Sequence, residues 1–283
     1  MITNYHTHSM YCDGRGRPEE YVQSAVSKGF TALGFSGHAP LPFPNSWTMD
    51  EESLPEYLGE VRRLQKTHRD GPEIYLGLEV DYLSPEQNPA EARYHALGVD
   101  YLIGSVHHIY SLEQEAFIPV DSTREELDRL AEETFGGDTR SMVGRYYQML
   151  REMVRIGGFD IIGHIDLIKK HNADNRYFDE AAGWYRDEIE ETLRVIADLG
   201  ETAPIMEVNT GAMARGYTAE PYPSPWILER GAELGIPIML NADAHKPEWI
   251  DYGFPEVERI IRDAGYASRW ILLNGEWREV AYE

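Results

Sequence analysis

The chain has 283 residues, of which 42% are hydrophobic and 27% charged. That composition belongs to a folded globular chain and excludes a disordered, collagen-like or coiled-coil one. Against 26 Lys and Arg stand 49 Asp and Glu, a net charge of −23, which repels phosphate backbones and anionic membrane surfaces and so excludes nucleic acid and membrane as general partners.

In chain order, the start Met1-Ile2-Thr3-Asn4-Tyr5-His6 lacks the basic and apolar pattern of a signal peptide, and no run is long enough to span a membrane. The lone Cys12 rules out an internal disulfide framework, and a cytoplasmic location is expected. Short, nearly continuous apolar runs predict strands at Ile2–Tyr5, Thr31–Phe35, Ile74–Leu78, Tyr101–Ser105, Phe159–Gly163, Ile205–Val208 and Ile236–Leu240. Helices are predicted between them. Pro18 opens Pro18–Lys28, and Glu51–Thr67 carries Leu54, Leu58, Val61 and Leu64 at helical spacing. Ser122 and Glu125 read as a capping box for Thr123–Phe135. Arg140–Ile156, Phe178–Leu199, a helix from Ser224-Pro225 to Gly235, and Glu256–Ala264 complete the set. An Asn274-Gly275 turn marks a small hairpin at about 269–280. Strand and helix alternate, which implies one domain, residues 1–283, around a parallel sheet. A doubly wound open sheet and a barrel both satisfy that pattern; the residues just past each strand favour the barrel, whose site lies at the carboxyl ends of its strands.

Those ends carry the chemistry. They read His6-Thr7-His8, Gly37-His38, Leu78-Glu79, Val106-His107-His108, Gly163-His164 and Asp243-Ala244-His245, with Asp13 in the first loop. Six of the ten histidines and three carboxylates therefore gather on one side of the fold. Residues two apart on a strand point the same way, so His6 converges with His8 and Asp243 with His245, whereas only one of His107 and His108 faces the centre. Each piece alone is weak, but burying nine such groups together without metal is very costly. Imidazole and carboxylate suit Zn, Fe or Mn, and the number suits two or three ions sharing a bridging carboxylate.

The set His6, His8, Asp13, His38, Glu79, His107, His164, Asp243 and His245 resembles that of the polymerase and histidinol phosphatase (PHP) superfamily. Tyr101 through His108, Gly163 through Lys169, and Asn209-Thr210-Gly211 through Tyr222-Pro223-Ser224 resemble its L-histidinol-phosphate phosphatases more narrowly. The resemblance spans nearly the whole chain. It implies a distorted (β/α)7 barrel and a trinuclear metal centre. One ion would take His6, His8, Glu79 and Asp243, a second Asp13, His38 and His245, and a third Glu79, His107 and His164. It further implies hydrolysis of L-histidinol phosphate, a small phosphomonoester, by a metal-bridging hydroxide. Another small phosphomonoester, a phosphodiester or exonuclease substrate, and a non-catalytic metal-storing role are the alternatives.

Asp243, Asp13 and a metal-bound water are the candidate proton donors to the leaving alkoxide, and Glu79 the bridging carboxylate. Phosphate wants fixed cations. Arg215 is favoured because strand six supplies no metal ligand, then Lys169; Arg15, Arg17 and Lys246 are weaker. His108 serves substrate or packs. Asp166 either orients His164 or starts a helix. Cys12 is read as outside the metal set, and Pro40 through Trp47 as a lid or a rigid surface loop. The sequence leaves a homo-oligomer open.

Overall fold

The computed structural model describes residues 1–282. Its main sheet has seven strands: β1 (Thr3–Asn4), β2 (Ala32–Phe35), β3 (Glu73–Asp81), β4 (Tyr101–Ser105), β7 (Ile161–Ile162), β8 (Ile205–Asn209) and β9 (Ile238–Asn241). They lie in that order and every neighbouring pair is parallel. The ring nearly closes where Thr7 bridges Ala244, with His8 N donating to Ala244 O at 2.9 Å and Ala244 N to His6 O at 3.0 Å. Two antiparallel hairpins stand apart from it: β5 (His108–Ser111) with β6 (Ala116–Pro119), and β10 (Ser268–Leu273) with β11 (Glu276–Ala281).

The helices are α1 (Pro18–Ser27), α2 (Ser53–Thr67), α3 (Ala92–His95), α4 (Arg124–Arg129), α5 (Thr139–Ile156), α6 (Gly183–Ala197), α7 (Gly211–Ala214), α8 (Pro225–Glu233) and α9 (Phe254–Asp263). The long ones are amphipathic. In α5, Met142, Val143, Tyr146, Tyr147, Leu150 and Met153 are all buried at helical spacing against the sheet. The distorted seven-stranded barrel expected from the sequence is therefore the fold.

The amino-terminal half of the barrel interior is filled by Tyr5, Tyr75, Tyr101, Ile103, Ile161, Ile205 and Met239. Gly34 and Gly77 make room for the Tyr101 ring: a Cβ at either would come within 2.4 Å of it. The Tyr101 hydroxyl donates to Tyr5 O and Phe35 O. The β10–β11 hairpin plugs this end with Ile271, Leu272 and Trp277, and Tyr5 Oη bonds Leu272 O at 2.7 Å and Leu272 N at 3.0 Å. One end is thus packed shut, and the polar residues collect at the other.

Several boundaries differ from the sequence pattern. The cap of α4 is Thr123, not Ser122: its Oγ1 accepts from Glu126 N at 3.2 Å, and the helix runs on as a π-turn over Leu130–Thr134. Phe178 lies outside α6 because Asn172 Oδ1 accepts from Tyr177 N and Phe178 N and holds that segment in a loop. β7 keeps only Ile161–Ile162 of its expected length, while β3 extends to Asp81. The β5–β6 hairpin, α3 and α7 have no counterpart among the predicted elements.

Candidate metal centre

Glu79 is the hub. It lies on β3, fully buried, and its two oxygens face different histidines. Oε2 lies 3.1 Å from His6 Nε2, 3.5 Å from His8 Nε2 and 2.9 Å from His38 Nδ1. Oε1 lies 3.1 Å from His164 Nε2 and 3.6 Å from His107 Nε2, and accepts from Ser105 Oγ at 2.7 Å. Gly163 permits that serine contact, since a Cβ there would meet Ser105 Oγ at 2.4 Å.

Asp243 and Asp13 complete the ring. Asp243 Oδ1 is 3.2 Å from His8 Nε2 and 3.8 Å from His6 Nε2, while Oδ2 accepts from Arg215 Nη2 at 2.9 Å. Asp243 holds φ at 45°, a left-handed backbone uncommon outside glycine. His245 Nε2 reaches Asp13 Oδ2 at 3.0 Å and its Nδ1 meets Arg215 Nη1 at 2.8 Å. The tight loop carrying Asp13 needs Gly14, where a Cβ would sit 2.3 Å from the His8 carbonyl carbon.

Two carboxylates behind this ring are absent from the set expected from the sequence. Glu207, on β8, accepts from His6 at Nδ1 (2.7 Å), Asn241 Nδ2 (3.0 Å), Asn209 Nδ2 (2.9 Å) and His164 N (3.2 Å). Asp81, two residues along β3 from Glu79 and so on the same face, bonds His107 Nδ1 at 2.6 Å and His108 Nδ1 at 2.9 Å. Each fixes the outer nitrogen of a histidine and turns Nε2 inward. The available signal was an acidic residue inside an otherwise apolar strand, Ile205-Met206-Glu207-Val208.

The charges are strongly coupled. Burial works against every charged form here, yet Glu207, Glu79 and Asp243 raise the His6 imidazole well above its ordinary range. Against burial, Asp81 and Glu79 push His107 up to about 10. His8 goes the other way, to about 3, through burial and the neighbouring His38 and His245. Glu79 and Asp243 stay ionised well below the usual carboxylate range despite burial, held by their histidines and, for Asp243, first by Arg215. The donor set fits divalent metal. His8 with Asp13, His38 and His245, His6 with His8 and Glu79, and His38 with Glu79 and His107 each present donor atoms within 4.8 Å of one another. His8 Nε2, His38 Nδ1 and His164 Nδ1 are buried without a well-aligned hydrogen bond, which a cation at those positions would relieve for the inward-facing nitrogens.

A cavity of about 260 Å³ opens above the ring, and Asp13, His38, Glu79, His107, His164, Asp243 and His245 reach it. Its cations are Arg215 and Lys170. Lys169 is elsewhere: it is buried between Asp166 (2.9 Å) and Glu220 (3.0 Å) and also bonds Ser224, so it is no phosphate ligand in this arrangement. Asp166 accordingly serves Lys169 and Ser224 and does not orient His164, whose backbone is met by Glu207. His108 does not line the cavity; it stacks behind Trp47 at 5.3 Å and 16°. Trp47 also meets His38 edge-on at 4.6 Å, and Phe43 stacks on Phe117 of β6, which fastens the Pro40–Trp47 loop as a wall. Arg15, Arg17 and Lys246 line none of it. Cys12 Sγ touches His8 Nδ1 at 3.5 Å, on the side away from Glu79.

The sequence profile of the family described as PHP domain matches residues 4–210. A Deinococcus radiodurans protein named "Probable histidinol-phosphatase" is 32% identical over 272 residues, covering 93% of this chain and 94% of that one. The Bacillus subtilis histidinol-phosphatase is 24% identical over 265 residues, 88% and 95% of the two chains. The crystal structure of histidinol phosphate phosphatase from Lactococcus lactis, complexed with zinc, L-histidinol and phosphate, shares the fold with a TM-score of 0.72 at 21% identity, covering 98% of each chain. Among the described residues no helix is long and apolar enough to cross a membrane. With its profile match extending over most of the barrel and its full-length relative above 30% identity, this chain belongs to the PHP family.

Proposed function

We propose that this protein is a metal-dependent phosphomonoesterase that hydrolyses L-histidinol phosphate to L-histidinol and phosphate. The observation that carries the proposal is Glu79, whose two oxygens face separate sets of histidines. That division supports a shared carboxylate: His6, His8, Glu79 and Asp243 would hold one ion, Asp13, His38 and His245 a second, and Glu79, His107 and His164 a third. The relatives' names supply the substrate.

Bound divalent ions activate water and neutralise charge on the transferring phosphoryl group. The chain's own residues do the rest. Arg215, on the cavity wall beside Asp243, is placed to donate to a non-bridging phosphoryl oxygen. Water forms the new P–O bond, the ester P–O bond breaks, and the leaving alkoxide takes a proton. Asp243 and Asp13, which line the cavity, are the carboxylates placed to relay that proton. Glu207 and Asp81 keep His6 and His107 in one tautomer throughout. The test is phosphate release from L-histidinol phosphate beside an aryl phosphate and a phosphodiester. Preference for the first, lost on chelation and in His8→Ala, supports the proposal; release from the diester alone overturns it.

A further inference from the structure

The cavity contains a carboxylate that the donor set does not use. Asp121 follows β6, and its side chain is 20% exposed, on the cavity wall. Lys170 Nζ donates to its Oδ2 at 3.0 Å. The Lys170 ammonium also lies 4.9 Å from the centre of the Tyr217 ring, so both members of the pair are held from outside the metal ring. Trp47, itself fixed by the His108 stack, lines the same cavity.

A substrate of the proposed class carries a phosphate dianion on one carbon and an ammonium on the next, with the imidazole at the other end. The dianion has Arg215 and the cations that the donor set would hold. Its ammonium, one carbon from the ester carbon, would be repelled by Arg215 and by bound metal, and needs an anion on the wall of the same cavity. Asp121 is the one carboxylate among the lining residues outside the metal donor set. We propose that the Asp121 carboxylate accepts a hydrogen bond from the substrate's ammonium group, with Lys170 holding the carboxylate in place, so that the site selects phosphate esters of amino alcohols over the same esters without the amine. This rests on the phosphomonoesterase reading of the same cavity.

Two substrates decide it: L-histidinol phosphate and its desamino analogue, 3-(imidazol-4-yl)propyl phosphate. The metal-loaded wild type should favour the amine by at least about tenfold in kcat/KM, and Asp121→Asn should lower that ratio by about 10- to 100-fold, the range for one charge-assisted hydrogen bond. Calorimetric binding of L-histidinol to the metal-loaded protein should weaken in the variant by a similar factor. Equal wild-type turnover of both esters overturns the assignment without any variant. So does an unchanged ratio in a folded, metal-replete Asp121→Asn. Phosphate release from neither ester is a different failure: it removes the phosphomonoesterase reading, and this inference with it.

Discussion

Glu207→Gln asks how much the buried carboxylate behind the site controls the donors in front of it. The wild-type carboxylate accepts four hydrogen bonds, two on Oε1 from His6 and Asn241 and two on Oε2 from His164 and Asn209. A glutamine of the same shape must turn its NH₂ toward one pair, where donor meets donor. With the nitrogen near His6, the imidazole loses its fixed tautomer; with it near His164, a backbone N–H is left without a partner. A hydrogen bond to a charged group is worth about 1.5–3 kcal/mol, and replacing a carboxylate behind a metal-facing histidine costs about 10- to 100-fold in metal affinity or activity, which is about 1.4–2.7 kcal/mol. Competition against a fluorescent chelator should show that loss directly. Phosphate release should fall with it at limiting metal and partly recover when metal is in excess. Wild-type metal affinity in a folded Glu207→Gln would refute the reasoning, because it would mean the carboxylate only fills space.

Three further outcomes are expected. In Gly211→Ala the new Cβ meets Asp243 Oδ2 at 2.6 Å and Arg215 Nη2 at 2.9 Å; the helix accepts alanine, so the fold survives while the Arg215–Asp243 pair shifts, and phosphate release should drop at least about tenfold for a pair that positions charge. Undiminished turnover would show the pair to be dispensable. For the chelated protein, the Asp81–His107 pair predicts a pH window. His107 is raised to about 10 by Asp81 and Glu79 against burial, so its share of stability is whole below about 6.5 and fades as pH climbs toward 10. Asp81 is lowered to about 2 by the two histidines, again against burial, so its share is whole above about 4 and fades as pH falls toward 2. The Tm difference between wild type and Asp81→Asn should therefore peak between about pH 4 and 6.5, and a flat difference would sink the account. Tyr5→Phe strips the hydroxyl that bonds both Leu272 O and Leu272 N; two buried groups lose partners, costing about 1–3 kcal/mol in denaturant titrations with metal content retained. No loss would mean the hairpin plug does not depend on this bond.

The seven main strands were legible because buried parallel strands are written as short apolar runs, and histidines or acids end most of them. What failed was local. Lys169 and Lys170 are adjacent, and nothing in their order tells which faces the cavity; a 3₁₀ turn at Leu167–Lys169 and the acids Asp166 and Glu220 decide it. His107 and His108 do point apart, as alternation requires, yet both bond Asp81, which no pattern search would select because it continues an apolar strand past its expected end. Strand six has no histidine or acid at its carboxyl end, where a barrel's chemistry is expected; Glu207 lies two residues inside that end, beside Asn209. The β5–β6 hairpin lacks the Asn-Gly signal, its turn being carried by Glu115 at a φ of 50°.

The barrel's two halves divide the work between stability and chemistry. The packed tyrosine layer and hairpin plug form a floor that needs no charge. Directly above it, Glu79, Asp243 and five imidazoles are buried together, an arrangement that opposes folding unless each charge finds a partner. In the metal-free chain those partners are protonated histidines and Arg215. Divalent metal would displace those protons and serve the carboxylates instead. Metal binding is then also a folding term: free ion at about a thousandfold above its dissociation constant adds roughly 4 kcal/mol to the native state. The same crowding of unlike donors that makes the site costly to fold makes it a tight trap for cations, and the apolar floor is what holds the donors in place before a cation binds.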